Sequence, residues 1–317
     1  MRQITLAAIK DAAAAVYDAA IRTPLVRLEL PFPADQSPEI YLKLEALQPI
    51  GSFKIRGAWN AVRLLPAQSL AEGVWTVSAG NAAQGVALAA RRAGARCSVM
   101  VIDTAPRTKL QSIERLGAHI VPASYDECWK TVEQHHSERM QGHFVHPFDD
   151  DRFIAGNGTA GLEILEELPD VDAIVAPIGG GGLIAGVAAA ARALKPGIKV
   201  FAAEPETAAP LARSLERGAP GRFEGWTASF VDGAGGKSVL PTMWPLLHPM
   251  VDGSIVVSLD EVKAAMKRTA ERVHVVAEGA AGCAIAAALS GRVPGRKIVA
   301  VVSGGNIDLT KFAALVT

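Results

Sequence analysis

The apolar positions change their spacing again and again along the chain. Ile9, Ala13, Val16 and Ala20 recur at helical intervals, predicting a helix over 5–20 that Pro24 cannot continue. Beyond it, short apolar strings alternate with longer amphipathic or small-residue stretches. The strings predict strands at 40–44, 74–78, 96–102, 119–122, 171–176, 198–203, 255–257 and 297–302. The stretches between them predict helices at 54–65, 82–93, 106–116, 124–140, 156–168, 183–194, 208–216, 260–273 and 279–290. Segment 218–254 is rich in Gly, Pro and Trp with weak periodicity, and reads as loop with short elements.

Strands that alternate with helices are the signature of parallel sheets covered by helices. The chain reads best as two sheets. Residues 69–147 form a small inserted domain, and 1–68 with 148–317 close a larger one. A cleft between two such domains is the expected ligand site. No internal repeat or low-complexity tail interrupts the pattern.

Composition narrows the function. A length of 317 residues suits about two domains, and a 50% hydrophobic content gives them large cores. Thirty-two basic residues balance 32 acidic ones, which argues against nucleic acid as the main partner. Cys97, Cys128 and Cys283 are too few and scattered for a disulfide framework or a cysteine-rich zinc site. Arg2, Lys10, Asp11 and Asp18 interrupt any signal-like start. The uncharged run between Asp172 and Arg192 holds Pro177 and four consecutive glycines, so it reads as strand, glycine loop and helix rather than a membrane span. The expectation is a cytoplasmic protein with no membrane contact.

Four segments carry candidate chemistry. In SFKIRG (52–57) a lysine lies at a helix start between apolar neighbours, where its pKa can fall and a Schiff base can form. SAGNAAQG (78–85) offers small residues and Asn81 where a strand turns into a helix. GGGG (179–182) can wrap backbone around a phosphate. It lacks the Gly-Lys-Ser/Thr ending of a nucleotide loop. It matches the dinucleotide pattern only in part, so a non-nucleotide phosphate fits better. Ser303, in SGGN (303–306), could meet a ring nitrogen at a sheet edge. Singly, these segments could equally be a surface lysine, an ordinary turn and a helix cap. Among the remaining residues, His135 and His136 read as surface, His146 as structural and Cys283 as buried packing. Trp226, Met243 and Trp244 suit a lid or a dimer contact.

Taken together and in order, KLEALQPIGSFKIRGA, SAGNAAQG, PIGGGGLIAG and VVSGGN resemble the fold type II pyridoxal-phosphate enzymes, and within them the serine/threonine dehydratases and serine racemases. RTPL (22–25), APRTK (105–109), HPFDD (146–150) and AGNGT (155–159) extend the resemblance over nearly the whole chain. It implies a tryptophan-synthase-β-like α/β fold, with two three-layer open-sheet domains and pyridoxal 5′-phosphate in the cleft. Lys54 would carry the cofactor as a Schiff base and Phe53 would pack beside its ring. Asn81 would bond the 3′-hydroxyl, and Gly179, Gly180, Gly181 and Gly182 would hold the phosphate. Ser303 would face the pyridine nitrogen, and Glu278 would lie near the ring's far edge. Ser78, Ala79, Gly80, Asn81 and Ala82 would line the substrate carboxylate.

The implied activity is deamination of a β-hydroxy amino acid such as L-threonine or L-serine to a 2-oxo acid and ammonia. A serine at 303 cannot protonate the ring as an aspartate would, which favours elimination. Lys54 would take the α-proton. Serine racemases carry a serine just before the Gly–Asn pair; here Ala79 stands there, and a methyl group cannot shuttle a proton. A racemase, a bifunctional racemase/dehydratase and a β-replacement enzyme are the competing enzymatic readings. A non-enzymatic binding protein is opposed by the intact Lys54, Asn81, glycine loop and Ser303.

Three departures bear on specificity and regulation. Ala82 replaces the usual histidine, and Ala234, Gly235 and Gly236 replace bulkier residues, so a larger substrate such as phenylserine or hydroxyaspartate is expected to fit. Relatives bind Mg²⁺ or Ca²⁺ through a glutamate, a carbonyl and an aspartate. Glu204 and the Ala208 carbonyl match, but Pro210 stands at the aspartate position and offers no side-chain ligand. The absence of an effector domain after residue 317 points to a catabolic role, and relatives predict a homodimer.

Overall fold

A computed structural model describes residues 2–30 and 38–317. Its strands are β1 (Leu25–Leu28), β2 (Glu39–Lys43), β3 (Val74–Val77), β4 (Cys97–Ile102), β5 (His119–Ala123), β6 (His143–Phe144), β7 (Ala173–Pro177), β8 (Lys199–Pro205), β9 (Gly253–Val257) and β10 (Lys297–Val301). They form a six-stranded sheet in the order β1-β2-β10-β7-β8-β9 and a four-stranded sheet in the order β5-β4-β3-β6. Every pairing is parallel except β1 with β2.

Alternation along the buried strands sorts side chains into two cores per sheet. Val299 and Val301 of β10 join the helices Asp151–Glu167 and Gly182–Leu194 on one face. Ile298 and Ala300 join the helices Leu259–Val273 and Gly279–Leu289 on the other. In the smaller sheet Val74 and Val99 face the helix Asn81–Arg92, whereas Trp75 and Met100 face the helix Tyr125–Gln134. Each sheet is thus a three-layer α/β sandwich. No helix among the described residues is long and apolar enough to cross a membrane.

Several elements depart from the sequence expectation. β1 is an additional antiparallel edge strand, too short at four residues to show a period. The helices Ala67–Glu72 and Leu309–Val316 are also additional; the second begins where the Asp308 carboxylate accepts from Thr310 N and Lys311 N. The helix expected from 156 starts at Asp151, because Asp150 caps it by accepting from Arg152 N and Phe153 N. The helix expected to reach 140 stops at Gln134, where His135 turns left-handed at φ 57°. Residues 5–20 are helical only over Leu6–Val16.

Small residues let three helices press together at the centre. A Cβ on Gly156 would stand 2.4 Å from the Arg56 carbonyl oxygen, and one on Gly186 would stand 2.3 Å from that of Ile154. The helix Lys54–Arg63, beginning with the candidate lysine, therefore lies directly against Asp151–Glu167.

Behind it lies an ionic cluster closed to solvent. The Arg56 guanidinium donates to both oxygens of Glu45, at 2.7 and 2.8 Å, and to both of Glu163, at 2.6 and 2.9 Å. Lys43 joins Glu163 at 2.8 Å and donates to the Thr23 carbonyl at 2.7 Å. Thr23, Gln48, Thr159 and Tyr17 supply further bonds to these groups. Burial works against the Arg56 charge, but Glu45 and Glu163 more than offset it and raise its pKa. Removing one member of such a cluster leaves its partners charged and unpaired. Arg56→Met is expected to destabilise the fold by about 3–5 kcal/mol in urea titration; a loss under about 1 kcal/mol would show the cluster to be dispensable.

Candidate active site

The candidate residues gather where parallel strands end, the usual ligand position of open α/β sheets. Ser78, Ala79 and Gly80 follow β3, Gly179–Gly182 follow β7, and Ser303 follows β10. The segment before Lys54 lies along the residues after β10: Ser52 bridges to Gly304, Phe53 N donates to the Ser303 carbonyl, and Gly305 N donates to that of Gly51. The lysine and the serine motif are thereby tied together by backbone.

Lys54 is the first residue of its helix. Its Nζ donates to the Pro147 carbonyl at 2.6 Å and lies 5.2 Å from the Phe53 ring centre and 5.4 Å from that of Phe153. Burial lowers its pKa to about 8, against the opposing pull of Glu278. A substantial neutral fraction is therefore present at mildly alkaline pH, and the neutral amine is the form that condenses with an aldehyde.

Asn81 opens the helix Asn81–Arg92 and reaches across to the other sheet. Its Nδ2 donates to Glu278 Oε1 at 2.8 Å, and its Oδ1 accepts from Asn306 Nδ2 at 2.8 Å. Glu278 is buried, and its pKa rises to about 8 through desolvation and the nearby Asp232 charge, with the Asn81 bond opposing. Gly304 lies close beside it: a Cβ there would stand 2.6 Å from Glu278 Oε1 and force the carboxyl to shift.

The glycine loop is shaped from behind. A Cβ on Gly180 would enter the Phe148 ring at 2.2 Å, and Gly181 has a left-handed φ of 95°. Asn157, within AGNGT, donates to the Gly182 carbonyl at 3.1 Å. The helices beginning at Lys54, Asn81, Gly182 and Gly279 have no side-chain cap that would compete with an anion, as is also true of those beginning at Ala67, Arg107 and Trp244. Five helices that begin elsewhere are capped by Thr5, Ser124, Asp150, Ser258 and Asp308.

Three buried hydroxyls among the described residues, Ser52 Oγ, Thr76 Oγ1 and Ser303 Oγ, have no hydrogen-bond partner, and Ser52 and Ser303 belong to the segments beside Lys54. Leaving such a group unsatisfied costs about 1–3 kcal/mol, so a polar ligand is the natural complement. Together with the low-pKa lysine, the uncapped helix ends and the glycine loop, the two serine hydroxyls fit pyridoxal phosphate. Ser52, Asn157 and Asn306 escape the sequence reading as site residues. Their only signal is membership in the segments that carry the resemblance.

Other residues fall outside this constellation. Glu204 is buried, with Oε1 accepting from Leu211 N at 2.8 Å and Oε2 from Ala212 N at 2.8 Å and Ser254 Oγ at 2.6 Å. Its carboxylate is spent on capping the helix Pro210–Arg217, and Pro210 adds no ligand. Three of the carboxylate's roughly four acceptor sites are thereby used, which leaves little of it for a hard cation. Among the described residues, His135, His146 and Asp149 are the one cluster with metal-ligand spacing. However, His146 Nδ1 accepts from Phe148 N and Asp149 N, and Nε2 meets the Val132 carbonyl. Both ring nitrogens are occupied, which agrees with a structural role. Cys283 and Met243 are buried core residues, and Trp226 donates to the Gly235 carbonyl at 2.9 Å. Ala82 and Ala234 are buried, whereas Gly235 and Gly236 are partly exposed.

Comparison with known proteins points to the same cofactor. The family model described as "Pyridoxal-phosphate dependent enzyme" matches residues 16–304. An L-threonine ammonia-lyase of Thermotoga maritima is 39% identical over 99% of this chain and 78% of its own length. An L-threonine ammonia-lyase of Geobacter sulfurreducens is 40% identical over 87% of this chain and 69% of its own. The structure of maize serine racemase superposes with a TM-score of 0.89 at 32% identity, covering 99% of this chain and 97% of that one. The chain belongs to the pyridoxal-phosphate-dependent enzyme family, in its fold type II branch.

Proposed function

We propose that this chain is an ammonia-lyase converting a β-hydroxy amino acid, L-threonine or L-serine, to the 2-oxo acid and ammonia. The observation that carries the reading is the Lys54 amine, brought by burial to a pKa of about 8 beside the Phe53 and Phe153 rings. The names of the ammonia-lyase relatives support the substrate class.

Pyridoxal phosphate, when bound, supplies a conjugated ring that accepts the electron pair left at the substrate's α-carbon. The protein's own groups do the rest. Lys54 holds the cofactor, and its freed amine takes the α-proton. Backbone N–H groups of the glycine loop and of the Gly182–Leu194 helix hold the phosphate. Ser303 offers a neutral hydroxyl to the ring nitrogen and so leaves it less electron-withdrawing than a carboxylate partner would. At the Asn81 helix start, uncapped N–H groups receive the substrate carboxylate, and Gly80 leaves that approach open because a Cβ there meets nothing within 4 Å. The β-hydroxyl leaves with a proton as water, and one water is consumed when the released enamine is hydrolysed, so the net products are one oxo acid and one ammonia.

The likeness to maize serine racemase favours a second reading, racemisation. Ala79 weighs against it, because no side-chain donor at that position can deliver a proton to the opposite face. The small residues Ala234, Gly235 and Gly236 support acceptance of a β-substituent larger than a methyl group. We also take the enzyme to work as a cytoplasmic homodimer.

Two measurements test this reading. Incubation with L-threonine should give oxo acid and ammonia in equal amounts, and L-serine incubated separately should stay free of the D-enantiomer; racemisation without oxo acid would replace the lyase reading. Separately, the rate of cofactor uptake by apoprotein should rise about tenfold per pH unit below the Lys54 pKa and level off above pH about 8. A rise that continues unchanged to pH about 10, the ordinary lysine range, would show that burial does not lower this pKa.

A further inference from the structure

A hydrogen-bonded relay leads from the end of β10 into the site. Asn306 Nδ2 donates to the Ile50 carbonyl at 2.7 Å and to Asn81 Oδ1 at 2.8 Å; Asn81 Nδ2 then donates to Glu278 Oε1 at 2.8 Å. The oxygen and nitrogen of a side-chain amide are nearly equal in shape, so its partners decide which way it faces. Here one partner allows no choice. The Ile50 carbonyl can only accept, so the NH₂ of Asn306 must face it. Both protons of that NH₂ are then committed, one to Ile50 and one to Asn81. The Asn81 atom that receives the second must be its oxygen. The NH₂ of Asn81 therefore turns toward Glu278 and keeps one further proton.

Asn306 is itself held in place. A Cβ on Gly51, whose φ is +70°, would stand 2.7 Å from Asn306 Oδ1, so only glycine leaves room for the amide. Backbone bonds from Gly305 N to the Gly51 carbonyl and from Phe53 N to the Ser303 carbonyl fix the two segments in register.

We propose that Asn306 is a positioning residue that sets the polarity of Asn81, so that Asn81 presents a donor and not an acceptor to the cofactor's ring oxygen. The inference rests on the reading that Asn81 meets the ring hydroxyl of pyridoxal phosphate. A donor at that point favours the ring oxygen without its proton; an acceptor would favour the oxygen that keeps it. Asn306 thereby selects the protonation form of the lysine-bound cofactor without touching it.

The test is spectroscopic and uses the purified holoenzyme at one fixed pH. Asn306→Asp has the same shape but no N–H, so Asn81 must turn its NH₂ toward residue 306 and its oxygen toward Glu278 and the cofactor. The ratio of long- to short-wavelength cofactor absorbance should fall at least about threefold, toward the form with a protonated ring oxygen. The cofactor dissociation constant should rise about tenfold, the scale of one lost hydrogen bond. Asn306→Ala frees Asn81 to take either orientation and should give an intermediate ratio. Apoprotein melting is followed for each variant, and if the Asp variant does not fold, the Ala variant decides. Asn81→Ala separates the two layers of the argument. If it leaves both ratio and affinity at wild-type values, the reading that Asn81 meets the cofactor fails. If it changes them while folded Asn306 variants keep the wild-type ratio, the polarity-setting role is overturned and Asn306 is merely structural.

Discussion

The position of the candidate lysine depends on an arginine two residues beyond it. Arg56 is clasped between Glu45, which follows β2, and Glu163, on the long helix Asp151–Glu167. All three are closed to solvent, and the cluster is satisfied through Lys43, Thr23, Gln48 and Thr159. An ion cluster of this kind adds little net stability compared with an apolar core, but it tolerates few alternative geometries. Its bidentate bonds fix the rotation of the Lys54–Arg63 helix about its axis. That rotation decides whether Lys54 points between Phe53 and Phe153 or elsewhere. Glycine contacts set the depth of the same helix, since Gly156 lets the neighbouring backbone reach that of Arg56.

With the scaffold fixed, the site works by withholding water from opposite charges. Desolvation lowers Lys54 to about 8 and raises Glu278 to about 8, so each favours its neutral form. The Glu278 charge opposes the shift of Lys54, while the Asn81 bond and the Lys109 charge oppose that of Glu278. The result is a pocket whose charged groups are poised near their neutral forms, surrounded by uncapped helix ends and unpartnered hydroxyls. Such a pocket suits an anionic, aldehyde-bearing cofactor better than it suits an empty cleft.

Much of this was legible in the sequence because its signals are local. Buried parallel strands such as KIVAV and AIVAP read as continuous apolar strings, and the glycine run announces its turn. The boundaries that failed were those decided by one side chain: Asp150 starts a helix five residues early, and His135 ends another in a left-handed turn. Lys54, Asn81, Gly179–Gly182 and Ser303 stood out as motifs, and their placement at strand ends follows from the alternation of elements. Arg56, Glu163 and Asn306 did not stand out as partners, because their meaning lies in pairs more than a hundred residues apart. The donors to Glu204 were hidden for the same reason: its match to a ligand position says nothing of Leu211, Ala212 and Ser254, which bond its two oxygens.

The proposed chemistry depends on Lys54 being the residue that holds the cofactor. Borohydride reduction of the holoenzyme, followed by proteolysis and peptide mass spectrometry, tests this directly. The reduced pyridoxyl group should be found on the peptide containing Lys54, in about one copy per chain. Its recovery on another lysine, or the release of all cofactor unreduced, would contradict the assignment and with it the geometry argued for the site.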